Sequence, residues 1–177
     1  ILPPYVSKGN TGWYKGSADA LHNCIAYIRR STQRYAVLAG GSMVCNITYD
    51  EVLNFHKEKN ADITVIYKDM PQMDPKDLSR HTLIETDSSD RICDMVTKPS
   101  LPRSTKVIME MYIIEKDLLE YLVEECASRG RTDFIKDILI DNLQDLRIYG
   151  YEFKGYVASI RTINAYFKHS MDLLDWD

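Results

Sequence analysis

Tyr35–Tyr67 reads YAVLAGGSMVCNITYDEVLNFHKEKNADITVIY, and its punctuation decides the fold class. Tyr35–Ala39 is a short apolar run of β-formers stopped by Gly40-Gly41, the pattern of a buried strand entering a tight turn. Thr48 through Glu51 has the form of a capping box. In it the Thr48 hydroxyl accepts from an N3 amide while Glu51 reaches back to the Thr48 amide. Val52, Leu53 and His56 then share one side of a helix running to about Lys59, with Asn60 as its left-handed stop. Ile63–Tyr67 (ITVIY) is β-branched and aromatic, which predicts a second buried strand. Strand, helix and strand in so short a span make a βαβ unit with a right-handed crossover. Ligands of open α/β sheets sit beyond the carboxyl ends of the strands, so the loop Gly40–Ile47 is where a site is expected.

Working outward, Ile1–Lys15 carries two prolines and two glycines and reads as a loop. A helix is expected from about Ser17, because Leu21, Cys24, Ile25 and Ile28 recur at helical spacing, with Arg29 and Arg30 in its last turn. Beyond the central unit, Asp69–Lys76 is a proline-containing loop. Thr82–Glu85 and Arg91–Val96 form a hairpin around Asp87 and Asp90. Val107–Ile114 is apolar enough for a strand buried on both faces, apart from Glu110. Lys116–Arg129 is a helix with Leu118, Leu119, Leu122 and Cys126 inward and Gly130 past its end. Asp133 caps a further helix, with Ile135, Ile138, Leu139 and Leu143 inward. Leu146–Phe153 is a strand interrupted at Gly150. Thr162 caps a last helix with Ile163, Tyr166, Phe167, Ser170 and Leu174 on one side. Alternating strands and helices predict an α/β three-layer, Rossmann-like domain with a mostly parallel mixed sheet, one domain across residues 1–177.

Composition narrows the function classes. Hydrophobic content of 45% and charged content of 27% are those of an ordinary globular protein. A net charge of −4 with no basic run gives no reason to expect nucleic acid. The apolar runs fall short of the roughly 20 residues that span a bilayer, so no membrane partner is expected. Cys24, Cys45, Cys93 and Cys126 are scattered without a C-x-x-C pair, which suits buried, reduced thiols in a cytoplasmic protein better than zinc ligands. A start at Ile1-Leu2-Pro3-Pro4, without methionine or a signal-peptide pattern, suggests a piece of a longer protein.

Three stretches carry a family pattern in order: WYKGSADA at Trp13–Ala20, GGSMVCNITY at Gly40–Tyr49, and GYVASIRTINAY at Gly155–Tyr166 followed by MDLL at Met171–Leu174. Together they resemble glucose-1-phosphate adenylyltransferase, the sugar nucleotidyltransferase of glycogen and starch synthesis. That family shows W-x-x-G-T-A-D-A, S-G-D-H-x-Y-x-M-D-Y, F-x-E-K-P and G-Y-W-x-D-I-G-T-I. The resemblance covers nearly the whole chain and implies a nucleotidyltransferase fold. It leaves out the family's amino-terminal glycine-rich nucleotide loop and its carboxy-terminal left-handed β-helix.

The departures bear on activity. The resemblance implies that two aspartates hold the catalytic Mg²⁺, and here those positions are Ser42 and Ser159. A neutral hydroxyl does not replace a carboxylate at a hard divalent ion. Thr97-Lys98-Pro99 stands where the family has E-K-P, so Lys98 matches the lysine that receives the sugar phosphate, while Thr97 and Ile108 replace a glutamate and a serine. Gly16, Ser17 and Ala18 match the segment along the nucleotide. The resemblance thus implies a regulatory, catalytically deficient GlgD-type subunit. Catalytic residues, bound metal and cofactor of its own are not expected, Mg²⁺ belonging to active relatives. It would pair with a catalytic glucose-1-phosphate adenylyltransferase subunit and retain at most degenerate binding of nucleotide at Gly16–Ala18 and of sugar phosphate at Lys98.

Plainer readings stand beside these. Lys98 is equally a solvated loop lysine, Gly16-Ser17 a helix entry, and Gly40-Gly41 a backbone requirement. His56 reads as a packed or surface histidine, Asp87 and Asp90 as a turn, and Tyr149, Tyr151 and Tyr156 as core and sheet-face aromatics. Two other functions compete: an active sugar-phosphate nucleotidyltransferase using Asp19 or Asp50, and an unrelated α/β ligand-binding domain. The second lacks any G-x-G-x-x-G.

Overall fold

The computed structural model describes residues 12–160, 162–172 and 174, so residues 1–11 of the expected opening loop lie outside the described residues. Helices α1 (Ser17–Asn23) and α2 (Ile25–Arg30) lead into strand β1 (Tyr35–Ala39). Strand β2 (Met43–Cys45), helix α3 (Tyr49–Glu58) and strand β3 (Ile63–Asp69) follow. Next come the single turn α4 (Pro75–Leu78), the hairpin β4 (Thr82–Thr86) and β5 (Ile92–Thr97), and the long strand β6 (Lys106–Glu115). Helix α5 (Lys116–Ser128) and a π-helix (Ile135–Ile140) precede β7 (Ile148–Glu152), β8 (Val157–Ser159) and α6 (Ile163–Asp172).

The six-stranded sheet has the order β5-β4-β6-β3-β7, and β1 joins it along β6. Both β1 and β3 are antiparallel to β6, so they run parallel to each other with β6 inserted between them. The βαβ unit is therefore split, its strands sharing a direction but no edge. The α/β class and the mixed sheet are as expected, but parallel pairing does not dominate. β1, β3, β4 and β7 point one way, yet only β3 and β7 are hydrogen-bonded in parallel, because the inserted β6 turns the other contacts antiparallel.

β6 is the strand buried on both faces, as its composition predicts. Ile108, Tyr112 and Ile114 face one core with α5 and the π-helix, where Leu119, Leu122, Ile138 and Leu139 are buried. Met109, Met111 and Ile113 face the other, formed with Val52 of α3 and with Met43, Cys45 and Val157 from β2 and β8. Burying each such aliphatic side chain contributes about 1.5–3 kcal/mol over leaving it in water. Two cores on opposite faces of one sheet make the three layers.

Several local expectations are corrected by packing. Thr48 is the N-cap of α3 but makes no side-chain cap bond, and Glu51 instead accepts from the Tyr151 hydroxyl at 3.4 Å. The partner on β7 has taken the carboxylate that the capping box would use. The first helix breaks at Cys24, whose amide bonds the Leu21 carbonyl in a tighter turn before α2 begins. β7 is not interrupted: Gly150 lies within it, and a Cβ there would come within 2.9 Å of the Tyr67 ring. Cys126 alone of the four free thiols is buried, and Cys93 is exposed. Asn60 is the left-handed stop, with φ 48°, and Asp87 is a turn residue whose carboxylate accepts from the amides of Ser89 and Arg91. Asp133 accepts from the amides of Ile135 and Lys136, so it does cap the helix that follows, which winds as π rather than α.

His56 is packed, not displayed. Its Nδ1 lies 2.8 Å from the Thr64 hydroxyl of β3, and its ring meets Tyr35 edge-on at 5.4 Å. Burial holds the imidazole below its usual pKa. The folded state therefore binds this proton less readily than the unfolded chain. His56 contributes fully above the unfolded value near pH 6.5 and loses that contribution as pH falls below it. Thermal unfolding between about pH 7 and pH 5 is expected to show a fall in midpoint that His56→Gln reduces. Gly150→Ala is expected to cost about 1–3 kcal/mol in denaturant unfolding by pressing on Tyr67. Gly41→Ala, with nothing within 4 Å, is expected to cost far less.

Candidate functional site

The loop after β1 does not stay a loop. Met43–Cys45 pairs antiparallel with Val157–Ser159 as a two-stranded ribbon, in the register Met43↔Ser159, Val44↔Ala158 and Cys45↔Val157. Ile160 N donates to Ser42 O at 2.7 Å and closes the ribbon's end. Ser42 and Ser159, about 117 residues apart in the chain, are thereby brought side by side. The Ser159 Oγ is buried and has no hydrogen-bond partner among the described residues.

That donor set can be tested against the Mg²⁺ that the motif resemblance implies. Mg²⁺ is held by one or two carboxylates together with substrate phosphates in octahedral geometry. Two neutral hydroxyls, one of them enclosed, do not fit that requirement. Among the described residues no group of three or more His, Cys, Asp or Glu side chains is placed to hold a metal. The two aspartates that could substitute are engaged or remote in role. Asp19 accepts from Lys15 N at 2.8 Å and from the Asn23 amide, and Asp50 is exposed in the first turn of α3.

Lys98 lies at the rim of a cavity of about 340 Å³ that also involves Thr97, Arg80, Lys136, Glu110 and Asp133. Its backbone is left-handed, φ 49°, its amide donates to the His81 carbonyl at 2.9 Å, and the residue is exposed at the turn into Pro99. Glu110 forms the cavity's inner side. It sits at a bulge in β6, where pairing with β3 jumps from Ile66↔Met111 to Tyr67↔Ile108, and its φ is 53°. The Glu110 carbonyl accepts from Gly40 N at 2.9 Å, which ties the cavity to the loop that carries Ser42.

Gly16, Ser17 and Ala18 stand on the far side of Asp133. Ala18 N donates to Thr132 O at 2.8 Å, and Phe134 N donates to the Ser17 hydroxyl at 2.9 Å. A Cβ at Gly16 would meet Thr132 O at 2.3 Å, so glycine is required here for close backbone approach. These three residues hold α1 against the start of the π-helix. Tyr112 lies beneath, its ring 5.1 Å from Phe134, its hydroxyl buried without a partner among the described residues and its pKa raised by that burial.

Sequence reading placed Lys98, Thr97 and the Gly40 loop together, and the structure does bring them to one region. It missed Arg80, Lys136, Glu110 and Asp133. Arg80 and Lys136 come from separate elements with no shared motif. Glu110 was visible as the one polar residue in an apolar strand, which was the available signal.

The fold, the serine ribbon and the Lys98 cavity define a nucleotidyltransferase-type domain. The sequence profile of the nucleotidyl transferase family matches residues 5–175, and the chain belongs to that family. Among individual relatives, glucose-1-phosphate adenylyltransferase of Clostridium acetobutylicum is 34% identical over 99% of this chain and 46% of its own length. The enzymes of the same name from Halalkalibacterium halodurans and Mycoplasma mobile are 33% and 32% identical, each again matched over 46% of its length. The chain thus spans about half the length of these relatives.

Removing an enclosed hydroxyl that has no partner relieves a desolvated polar group. Ser159→Ala is therefore expected to be neutral or stabilising by up to about 1 kcal/mol. Ser104→Ala, which breaks the bond from its hydroxyl to Ile84 O at 2.6 Å, is expected to destabilise by about 1 kcal/mol. Denaturant midpoints in the opposite order would show that Ser159 Oγ is satisfied in solution.

Proposed function

We propose that this chain is part of a regulatory, GlgD-type subunit of a glucose-1-phosphate adenylyltransferase, deficient in catalysis and acting in glycogen synthesis in the cytoplasm. The observation that carries this reading is that one ribbon brings Ser42 and Ser159 next to each other, Ser159 opposite Met43 and Ile160 N bonded to Ser42 O, at the two positions where the motif resemblance expects Mg²⁺-binding aspartates. The relatives' names support the sugar-nucleotidyltransferase setting. The work of such a subunit is to assemble with a catalytic subunit and tune its response to substrate. The cavity at Lys98 would serve as a weak anion site for a sugar phosphate, with the ammonium as a point charge and Gly16–Ala18 as the nearby remnant of a nucleotide wall.

No reaction step is assigned to Ser42 or Ser159. Loss of two carboxylates from a charge-stabilising site removes several kcal/mol of transition-state stabilisation, on the order of 10³-fold or more in rate. The purified full-length protein, without a partner, is expected to release no pyrophosphate from ATP and glucose 1-phosphate above background at any Mg²⁺ concentration. Mixed with a catalytic homologue, it is expected to co-purify and to shift that enzyme's apparent substrate affinity. Robust turnover by the isolated protein would overturn the reading.

A further inference from the structure

Another cavity, of about 380 Å³, lies between one face of the β4–β5 hairpin and the loop 99–104, and it shares no lining residue with the cavity at Lys98. Pockets of this volume hold small molecules. The hairpin register sets Leu83 opposite Val96 and Glu85 opposite Asp94. Alternate residues of a strand share a face, so these four form one wall of the cavity. The loop is fixed over that face by the Ser104 hydroxyl, which donates to Ile84 O at 2.6 Å and accepts from Lys106 N at 3.2 Å. It adds Arg103 and Leu101 to the lining, Leu101 being 80% exposed.

The charges of this lining are unmatched. Glu85 and Asp94 are like charges directly opposite each other, an arrangement that destabilises an antiparallel pair. One Asp94 oxygen accepts from Met95 N at 2.8 Å, a backbone bond that brings no cation. Arg103 lines the same cavity, yet among the described residues it forms no ion pair with either carboxylate or with any other acid. A local rule broken without a compensating contact is the mark of a functional position. Here the lining offers two carboxylates to a cation, a guanidinium to an anion, and Leu83, Val96 and Leu101 to an apolar body.

We propose that this cavity binds a free apolar α-amino acid as its zwitterion. The ammonium donates to Glu85 and Asp94, the carboxylate accepts from Arg103, and the aliphatic side chain covers Val96 and Leu101. A guanidinium suits a carboxylate because its planar fork can donate two parallel bonds. An ammonium placed between Glu85 and Asp94 turns their repulsion into attraction to a shared cation. A ligand with only one of the two charges leaves the other half of the lining unmatched. The site is independent of the reading given above for Lys98 and the serine ribbon.

The test is calorimetric titration of the full-length protein with leucine, leucinamide and 4-methylpentanoate, which carry both charges, the cation alone and the anion alone. Leucine is expected to bind, and each analogue to bind about tenfold more weakly or not at all, because a charge-assisted contact is lost. Arg103→Gln is expected to weaken leucine about tenfold and to spare leucinamide, whereas Glu85→Gln weakens both. In denaturant unfolding without ligand, Glu85→Gln is expected to raise the midpoint, since it ends the like-charge contact across the hairpin. If it lowers the midpoint instead, and does so only while Arg103 is present, Arg103 pairs with Glu85 in solution. The cavity is then neutral within itself and the proposal is overturned. No binding of leucine by the parent protein, or binding that neither variant alters, likewise overturns it. Leucinamide binding as tightly as leucine would make this a site for cations alone and overturn the zwitterion assignment.

Discussion

A strand buried on both faces has no solvent to satisfy its backbone, so both of its edges must be paired. β6 is that strand here, and its pairing requirement organises the domain. β3 covers one edge along its length, while β1 and β4 divide the other, Met111–Glu115 going to β1 and Val107 to β4. The gap left between those two partners falls at Glu110, beside the bulge opposite Ile66 and Tyr67. The cavity therefore opens at the one point where the central strand changes partners. Its position follows from backbone pairing before any side-chain chemistry is considered.

The elements that sequence reading found are those whose signals are local. β1, α3, β3, the β4–β5 hairpin, β6 and α5 each carry their own periodicity and punctuation, and each formed close to its expected bounds. What it missed depends on residues distant in the chain. β2 and β8 are three residues long and lack any individual strand signal; they exist because each supplies the other's hydrogen bonds. The Thr48 capping box has the right spelling, but Tyr151 from β7 competes for Glu51. Gly150 reads as a breaker and is instead a contact surface for the Tyr67 ring. The apolar stripe of α6 shows the same limit from the other direction. Ile163, Tyr166 and Phe167 do share a helix, but they stand 86%, 61% and 64% exposed, because periodicity reports an apolar face and not what covers it.

For the site, motif matching and physical reading succeed on different residues. Lys98 and the two serines were found through matched spacing, which fixes position without revealing neighbours. Arg80, Lys136 and Asp133 were invisible because the cavity draws them from α4's end, the π-helix and the turn before it. The two left-handed residues of the cavity, Lys98 and Glu110, are not spelled by glycine or asparagine at all. Each such conformation costs on the order of 1–2 kcal/mol, so the surrounding pairing must over-determine it. For Lys98 that pairing is its amide bond to His81; for Glu110 it is the carbonyl bond from Gly40.

The serine ribbon also bears on what the proposed loss of a metal site would mean for the fold. The Met43↔Ser159 register and the bond from Ile160 N to Ser42 O hold positions 42 and 159 within one residue pair of each other. Two carboxylates drawn together at neighbouring positions would repel each other unless a cation lay between them. The closing of such a ribbon is then tied to metal and phosphate binding. Two hydroxyls carry no charge to neutralise, and Met43–Cys45 and Val157–Ser159 pair through backbone bonds and pack on the core that includes Met111 and Ile113. On the reading proposed above, the two residues that take the place of the Mg²⁺-binding aspartates also leave the ribbon's closure independent of a cation. Under the proposed regulatory reading, a ribbon that closes on backbone bonds without an ion is a surface of constant shape for a partner to meet.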